Sequence, residues 1–117
     1  MEDKECIFCK IVKGEIKSDI VYSDDNFIGI LDIHPKAKGH TVIFPKKHFR
    51  NLLDMPSSLG NEMLESVKSV ALDLIKQGEG EGFNVVVNNE PAAGQVIFHA
   101  HIHVIPRKKD DGLKSMV

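Results

Sequence analysis

The chain holds 117 residues, with 15 lysines and arginines against 17 aspartates and glutamates, a formal net charge of −2 and 42% apolar residues. That length fits one domain, 1–117, large enough to bury a core without disulfide staples. The near-neutral balance excludes a dedicated nucleic-acid binder, and no apolar run approaches the roughly 20 residues a membrane span requires.

The acidic start, Met1-Glu2-Asp3-Lys4-Glu5, leads into no hydrophobic segment of the secretory kind. A cytoplasmic protein is therefore expected, with its two cysteines serving metal or redox chemistry before a structural disulfide. Residues 6–12 fit a turn or two of helix. Strands rich in β-branched and aromatic residues are predicted at 20–23, 27–33 and 41–44, with Asp24-Asp25-Asn26 as a hairpin turn and a longer loop from Pro35 to Gly39. Pro45 ends the third of them. After Pro56-Ser57-Ser58, the residues Leu59, Met63, Leu64, Val67, Val70, Ala71, Leu74 and Ile75 recur at helical spacing, and Gly78 is a plausible stop. Gly78-Glu79-Gly80-Glu81-Gly82 has the look of a phosphate loop but follows a helix and precedes a strand, the reverse of what that role needs. It reads as a helix stop and a turn. Further strands at 83–88 and 96–105 complete an α+β domain with a mostly antiparallel sheet.

The last strand carries the chemistry. Alternation would place Phe98, Ala100, Ile102 and Val104 on one apolar face packed on the core, and His99, His101 and His103 on the other. Three imidazoles in a row rarely serve packing, because each carries a polar nitrogen that needs a partner when buried. Two functional readings compete: one catalytic metal held by all three, or a histidine nucleophile whose neighbours position and protonate the substrate. Strand rise separates the first and third Cα atoms by roughly 13 Å, too far for both rings to share one ion with the second, so the nucleophile reading is favoured. Neutral imidazole attacks phosphorus well, which suits phosphoryl or nucleotidyl transfer.

His99-Ala100-His101-Ile102-His103-Val104-Ile105 resembles the signature of the histidine-triad (HIT) family. Asn88, Gly94-Gln95, Leu31-Asp32-Ile33, Gly39-His40, Pro45-Lys46-Lys47-His48 and Cys6-Ile7-Phe8-Cys9-Lys10-Ile11 fall at matching spacings, so the resemblance covers nearly the whole chain. It implies a five-stranded HIT-like fold with one long and one short N-terminal helix, and a homodimer that acts on a purine nucleotide without nucleic acid or membrane partners. The implied activity is hydrolysis or transfer of nucleoside monophosphate groups, with purine nucleoside phosphoramidates as leading substrates. The alternatives are dinucleoside polyphosphate hydrolysis and a non-catalytic nucleotide-binding module. By resemblance His101 is the nucleophile, His103 contacts phosphate and helps the leaving group, and the His99 carbonyl orients the His101 ring. Asp32 would bind the ribose hydroxyls. Asn88, Gly94, Gln95 and the Val96 backbone would serve the phosphate, and Phe8, Ile11 and Ile33 would form the base slot. His40 is either a supporting partner or a histidine without a catalytic role, and His34 has no assigned role. Val96 departs from the usual Ser or Thr, and Pro106-Arg107 is closer to the zinc-containing microbial branch or the dinucleoside-polyphosphate branch.

Cys6-x-x-Cys9 alone is compatible with a redox pair, half a zinc site or two small buried hydrophobes. The resemblance supplies two more ligands, His48 and His99, and a Cys2His2 set would close a tetrahedral shell around one structural zinc per chain.

Overall fold

One carboxylate builds the first reversal of the chain. Asp24 Oδ1 accepts the backbone N–H groups of Asn26 and Phe27 at 2.9 and 2.7 Å, setting β1 (Ile20–Ser23) antiparallel to β2 (Phe27–Leu31). The computed structural model describes residues 5–114 and adds α1 (Ile7–Val12), β3 (Thr41–Pro45), α2 (Gly60–Lys76), β4 (Gly82–Val86) and β5 (Ile102–Arg107). The five strands form one sheet in the order β1-β2-β3-β5-β4, antiparallel at every pairing. This is the expected α+β architecture with one long helix and one short one.

The middle strands are buried on both faces, which explains their near-continuous apolar sequences. Phe27, Ile43, Ile102 and Val104 pack against Val70, Ala71 and Leu74 of α2. Ile28, Ile30, Val42 and Phe44 turn the other way, onto Phe8, Cys9 and Ile11 of α1. Each such side chain contributes about 1.5–3 kcal/mol when fully buried. The two helices thus sandwich the sheet, and the α1 face carries the site.

Helix α2 ends in a Schellman arrangement, with Gly78 at φ +79° and Glu79 N–H donating to the Leu74 carbonyl. Gly39 takes φ +95°, and a Cβ there would meet Leu74 Cδ2 at 2.7 Å. Only glycine lets the loop before β3 lie this close to α2, and that loop delivers His40.

The last strand needs correction. Residues 96–101 are not strand: β5 begins at Ile102, so His99 and His101 precede it and only His103 sits on the ladder. The reason is their partners. The Ala100 N–H donates to the Phe49 carbonyl and the His101 ring folds back on the His99 carbonyl. Phe98 also leaves the supposed apolar face; it is 42% exposed, with the Arg50 guanidinium 4.6 Å above its ring. On α2, Leu64 and Ile75 belong to the apolar stripe by spacing but are 54% and 40% exposed, because the sheet is narrower than the stripe. Among the described residues, no helix is long and apolar enough to cross a membrane.

Candidate active site and metal centre

Four side chains from three parts of the chain meet beside Phe8. Cys6 caps α1, its sulfur accepting the Cys9 N–H at 3.3 Å. The same sulfur lies 3.2 Å from His99 Nδ1, and Cys9 Sγ lies 3.3 Å from His48 Nδ1 and 3.6 Å from His99 Nδ1. The two Nδ1 atoms are 3.2 Å apart. A tetrahedral zinc with ordinary bond lengths would set nitrogen–nitrogen edges of about 3.3 Å and sulfur–nitrogen edges of about 3.6 Å. The four donors therefore already stand close to that spacing.

Tautomer chemistry points the same way. His99 Nε2 is 2.7 Å from the Pro45 carbonyl, an acceptor only, so Nε2 carries the proton and Nδ1 turns its lone pair into the cluster. Burial pushes the Cys6 thiol up to about 11, the response expected of a thiol desolvated without a cation. The residues present fit a metal. Phe8 stacks on Phe44 at 4.2 Å and presents its ring to the edges of both His99 and His101, locking the two imidazoles in place.

His101 faces away from this cluster. Its Nδ1 donates to the His99 carbonyl at 2.7 Å, which leaves Nε2 as an unprotonated lone pair. Burial lowers its proton affinity further, so the ring is neutral at pH 7. His103, opposite Val42 on β3, begins a relay. The Lys36 N–H donates to His40 Nδ1 at 3.0 Å, forcing the His40 proton onto Nε2. That proton reaches His103 Nδ1 at 3.0 Å, so the His103 proton resides on its own Nε2. Asp32 closes the group: Oδ1 accepts the His34 N–H at 2.8 Å, while Oδ2 stands 3.5 Å from His40 Nε2 and 3.8 Å from His103 Nδ1. His34 thus contributes through its backbone, and its ring is exposed.

His101 and His103 line a cavity of about 370 Å³. Its apolar lining includes Ile7, Phe8, Ile11, Ile16, Ile30 and Val42, and Asp32, Asn88, Gly94 and Val96 line it as well. The cavity thus brings together apolar side chains, a carboxylate and two imidazoles.

Residues 13–110 match the HIT domain. The chain belongs to the HIT family. It is 44% identical over 109 residues to the adenylylsulfatase HINT3 of Arabidopsis thaliana, covering 93% of this chain and 55% of the plant protein. It is 41% identical over 109 residues to the adenosine 5'-monophosphoramidase HNT1 of Candida albicans, covering 90% of this chain and 72% of the yeast protein. A zinc-bound histidine triad protein from Mycobacterium smegmatis superposes with a TM-score of 0.89 at 38% identity, covering 94% of this chain and 80% of the other.

The predicted site residues of this HIT chain divide into groups. Cys6, Cys9, His48 and His99 come together, and so do Phe8, Ile11, Asp32, Asn88, Gly94, His101 and His103 around the cavity. Ile33 and Val96 sit at its mouth, 79% and 81% exposed. Gln95 does not join them. Its amide donates to the Arg50 and Ile97 carbonyls and accepts the Glu90 N–H, and its own N–H goes to the Glu90 carbonyl. With its side-chain amide fully engaged and buried, Gln95 braces the loop. Sequence reasoning left His40 open between a supporting partner and a histidine without a catalytic role; its bond to His103 makes it the supporting partner, the residue that fixes the His103 tautomer. Sequence reasoning missed Arg50 and Glu90, whose bidentate pair of 2.8 and 2.9 Å joins the loop after His48 to the loop after Asn88.

Proposed function

We propose that this HIT protein binds a purine nucleotide in the 370 Å³ cavity and cleaves nucleoside phosphoramidates or related adenylyl conjugates through a covalent nucleotidyl-His101 intermediate. The observation that carries the reading is the His101–His99 carbonyl bond, which leaves an unprotonated Nε2 on a ring that lines a nucleotide-sized cavity. In the first step the His101 Nε2 lone pair forms a bond to the α-phosphorus and the phosphorus–nitrogen bond breaks. The departing amine takes the proton from His103 Nε2. In the second step water attacks phosphorus, the bond to His101 breaks, the proton that the water gives up returns to His103 Nε2, and the nucleoside monophosphate leaves. Asp32, an acceptor-only group, takes the ribose hydroxyls, and Phe8 and Ile11 sandwich the base with Ile33 at the rim. Asn88, Gly94 and the Val96 N–H serve the phosphate. The names of the Arabidopsis and Candida relatives support an adenylyl group as the common element.

Cys6, Cys9, His48 and His99 would hold one zinc ion. With four protein ligands and no open position, its contribution would be structural, fixing the segment whose carbonyl orients His101. A homodimer is part of the same reading: Phe83 and Val85 are exposed on the edge strand β4, as are Leu64 and Leu72 on α2, and a two-fold pairing would cover them. Sedimentation of a 13.0 kDa species at micromolar concentration would refute the dimer.

The reaction is tested by turnover of an adenosine phosphoramidate, with a diadenosine polyphosphate as comparator. His101→Asn should lower kcat by about 10⁴-fold or more while AMP still binds. A near wild-type rate in that variant rejects His101 as nucleophile. Negligible turnover of both compounds by the wild type, with tight AMP binding, would identify a binding module.

A further inference from the structure

Glu90 adopts φ 76° and ψ 155°, a backbone region that side-chain-bearing residues leave almost entirely to glycine. Such a conformation persists only where its surroundings over-determine it. Here they do. The Arg50 guanidinium grips the Glu90 carboxylate through two bonds, Asn51 Nδ2 donates to the same group, and the Glu90 N–H is held by Gln95 at 2.7 Å. Gln95 in turn donates to the Arg50 carbonyl at 2.6 Å, and the neighbouring Asn89 accepts the Leu52 N–H at 2.9 Å. Two loops are stitched together around one strained residue.

Stability alone does not account for the arrangement. The Arg50–Glu90 pair is nearly half-exposed on both sides, and pairs of that exposure contribute little to folding, whereas glycine would take up the same backbone without strain. What the pair fixes is position. Glu90 lies in the chain between Asn88 and Gly94, both of which line the cavity. Asp32 follows β2, and Ile7, Phe8, Ile11, Ile16, Ile30 and Val42 come from α1, the turn after it, β2 and β3, none of them bonded to this network among the described residues. We infer that Glu90 and Arg50 are positioning residues, a latch that holds the 88–96 loop at the place where a nucleotide's phosphate group binds. The inference rests on the nucleotide reading and adds to it a division of labour: the latch governs recognition of phosphate and not of the nucleoside.

Calorimetric affinities for AMP and for adenosine test this in the full chain and in Glu90→Gly, Arg50→Met and the double variant. Glu90→Gly removes the latch and the strain together, so it should fold with a Tm at or above that of the wild type. AMP affinity should fall about tenfold while adenosine affinity is unchanged. Arg50→Met, which keeps packing over Phe98, should give the same selective loss, and the double variant should lose no more than either single one. A purely structural role would move both ligands together or neither. An unchanged AMP-to-adenosine ratio in Glu90→Gly, or losses that add in the double variant, overturns the latch alone. A wild-type chain that binds AMP no better than adenosine overturns the nucleotide reading and the latch with it.

Discussion

Cys6, Cys9, His48 and His99 turn their donor atoms toward one point, whereas Asp32, His40 and His103 pass a hydrogen bond along a line. Both groups are metal-ligating residue types, and in each the donor atoms lie within 4.8 Å of one another. What separates them is a single backbone partner. The Pro45 carbonyl takes the His99 Nε2 proton and frees Nδ1 for a cation. The Lys36 N–H does the opposite to His40, occupying Nδ1 and placing a proton on Nε2, the atom a metal would need. Proximity of ligand types does not make a metal site; the tautomer imposed on each ring decides it.

Four measurements would break or sharpen this contrast. The largest effect is expected from Cys9→Ser, which should abolish bound zinc in elemental analysis and cost about 3 kcal/mol, roughly 12 °C in Tm for a chain of this size. His40→Leu should leave zinc content untouched; a loss of metal there would erase the distinction between the clusters. The same variant should reduce kcat for an adenosine phosphoramidate by about 100-fold, and His40→Gln, which retains a donor, should recover part of it.

Acid should act on the relay. Burial first, then the neighbouring imidazoles of His101 and His40, push His103 down from 6.5 to about 4. Between those values the unfolded chain binds a proton that the folded chain refuses. The stability contributed by neutral His103 is therefore complete above 6.5 and lost as the pH falls toward 4. Melts at pH 7 and pH 5 should show a smaller drop in His103→Gln than in the wild type, and equal drops would contradict the assignment. Smallest of all, Asp32→Asn should weaken AMP by about tenfold and narrow its advantage over the 2′-deoxy compound, without changing zinc content.

The elements were legible where periodicity and turn chemistry agree. β1 is found at its predicted bounds, because Asp24 fixes the turn that follows it. The long helix is found too, beginning one residue past Leu59 because Ser57–Leu59 forms a 3-10 turn. The triad segment misled because period-two alternation signals a strand, whereas the chain bends at 97–99 before it joins the ladder; its partners, Phe49 and the His99 carbonyl, lie outside any sheet register. The run of three histidines pointed to nucleophile chemistry by residue type alone, whereas the full ligand set and the role of Asp32 came from the resemblance to the HIT family. Gln95 was misread for the complementary reason, since an amide next to a glycine looks the same whether it faces a ligand or its own loop. Glu90 left no local trace. Its backbone conformation, which stores about 1–3 kcal/mol, depends on an arginine 40 positions earlier.

Cys6 and His99 stand 93 positions apart. A metal ion shared between them would tie together nearly the whole chain, a cross-link worth roughly 4–5 kcal/mol in entropy removed from the denatured state. During synthesis the two thiols would emerge first, His48 next and His99 long after, with His101 only two residues behind. Capture of the ion and orientation of the reactive ring would then be one late event in folding. A nascent chain stalled before residue 99 would hold neither, and the metal would serve as a check that translation has carried the chain through to its reactive histidine.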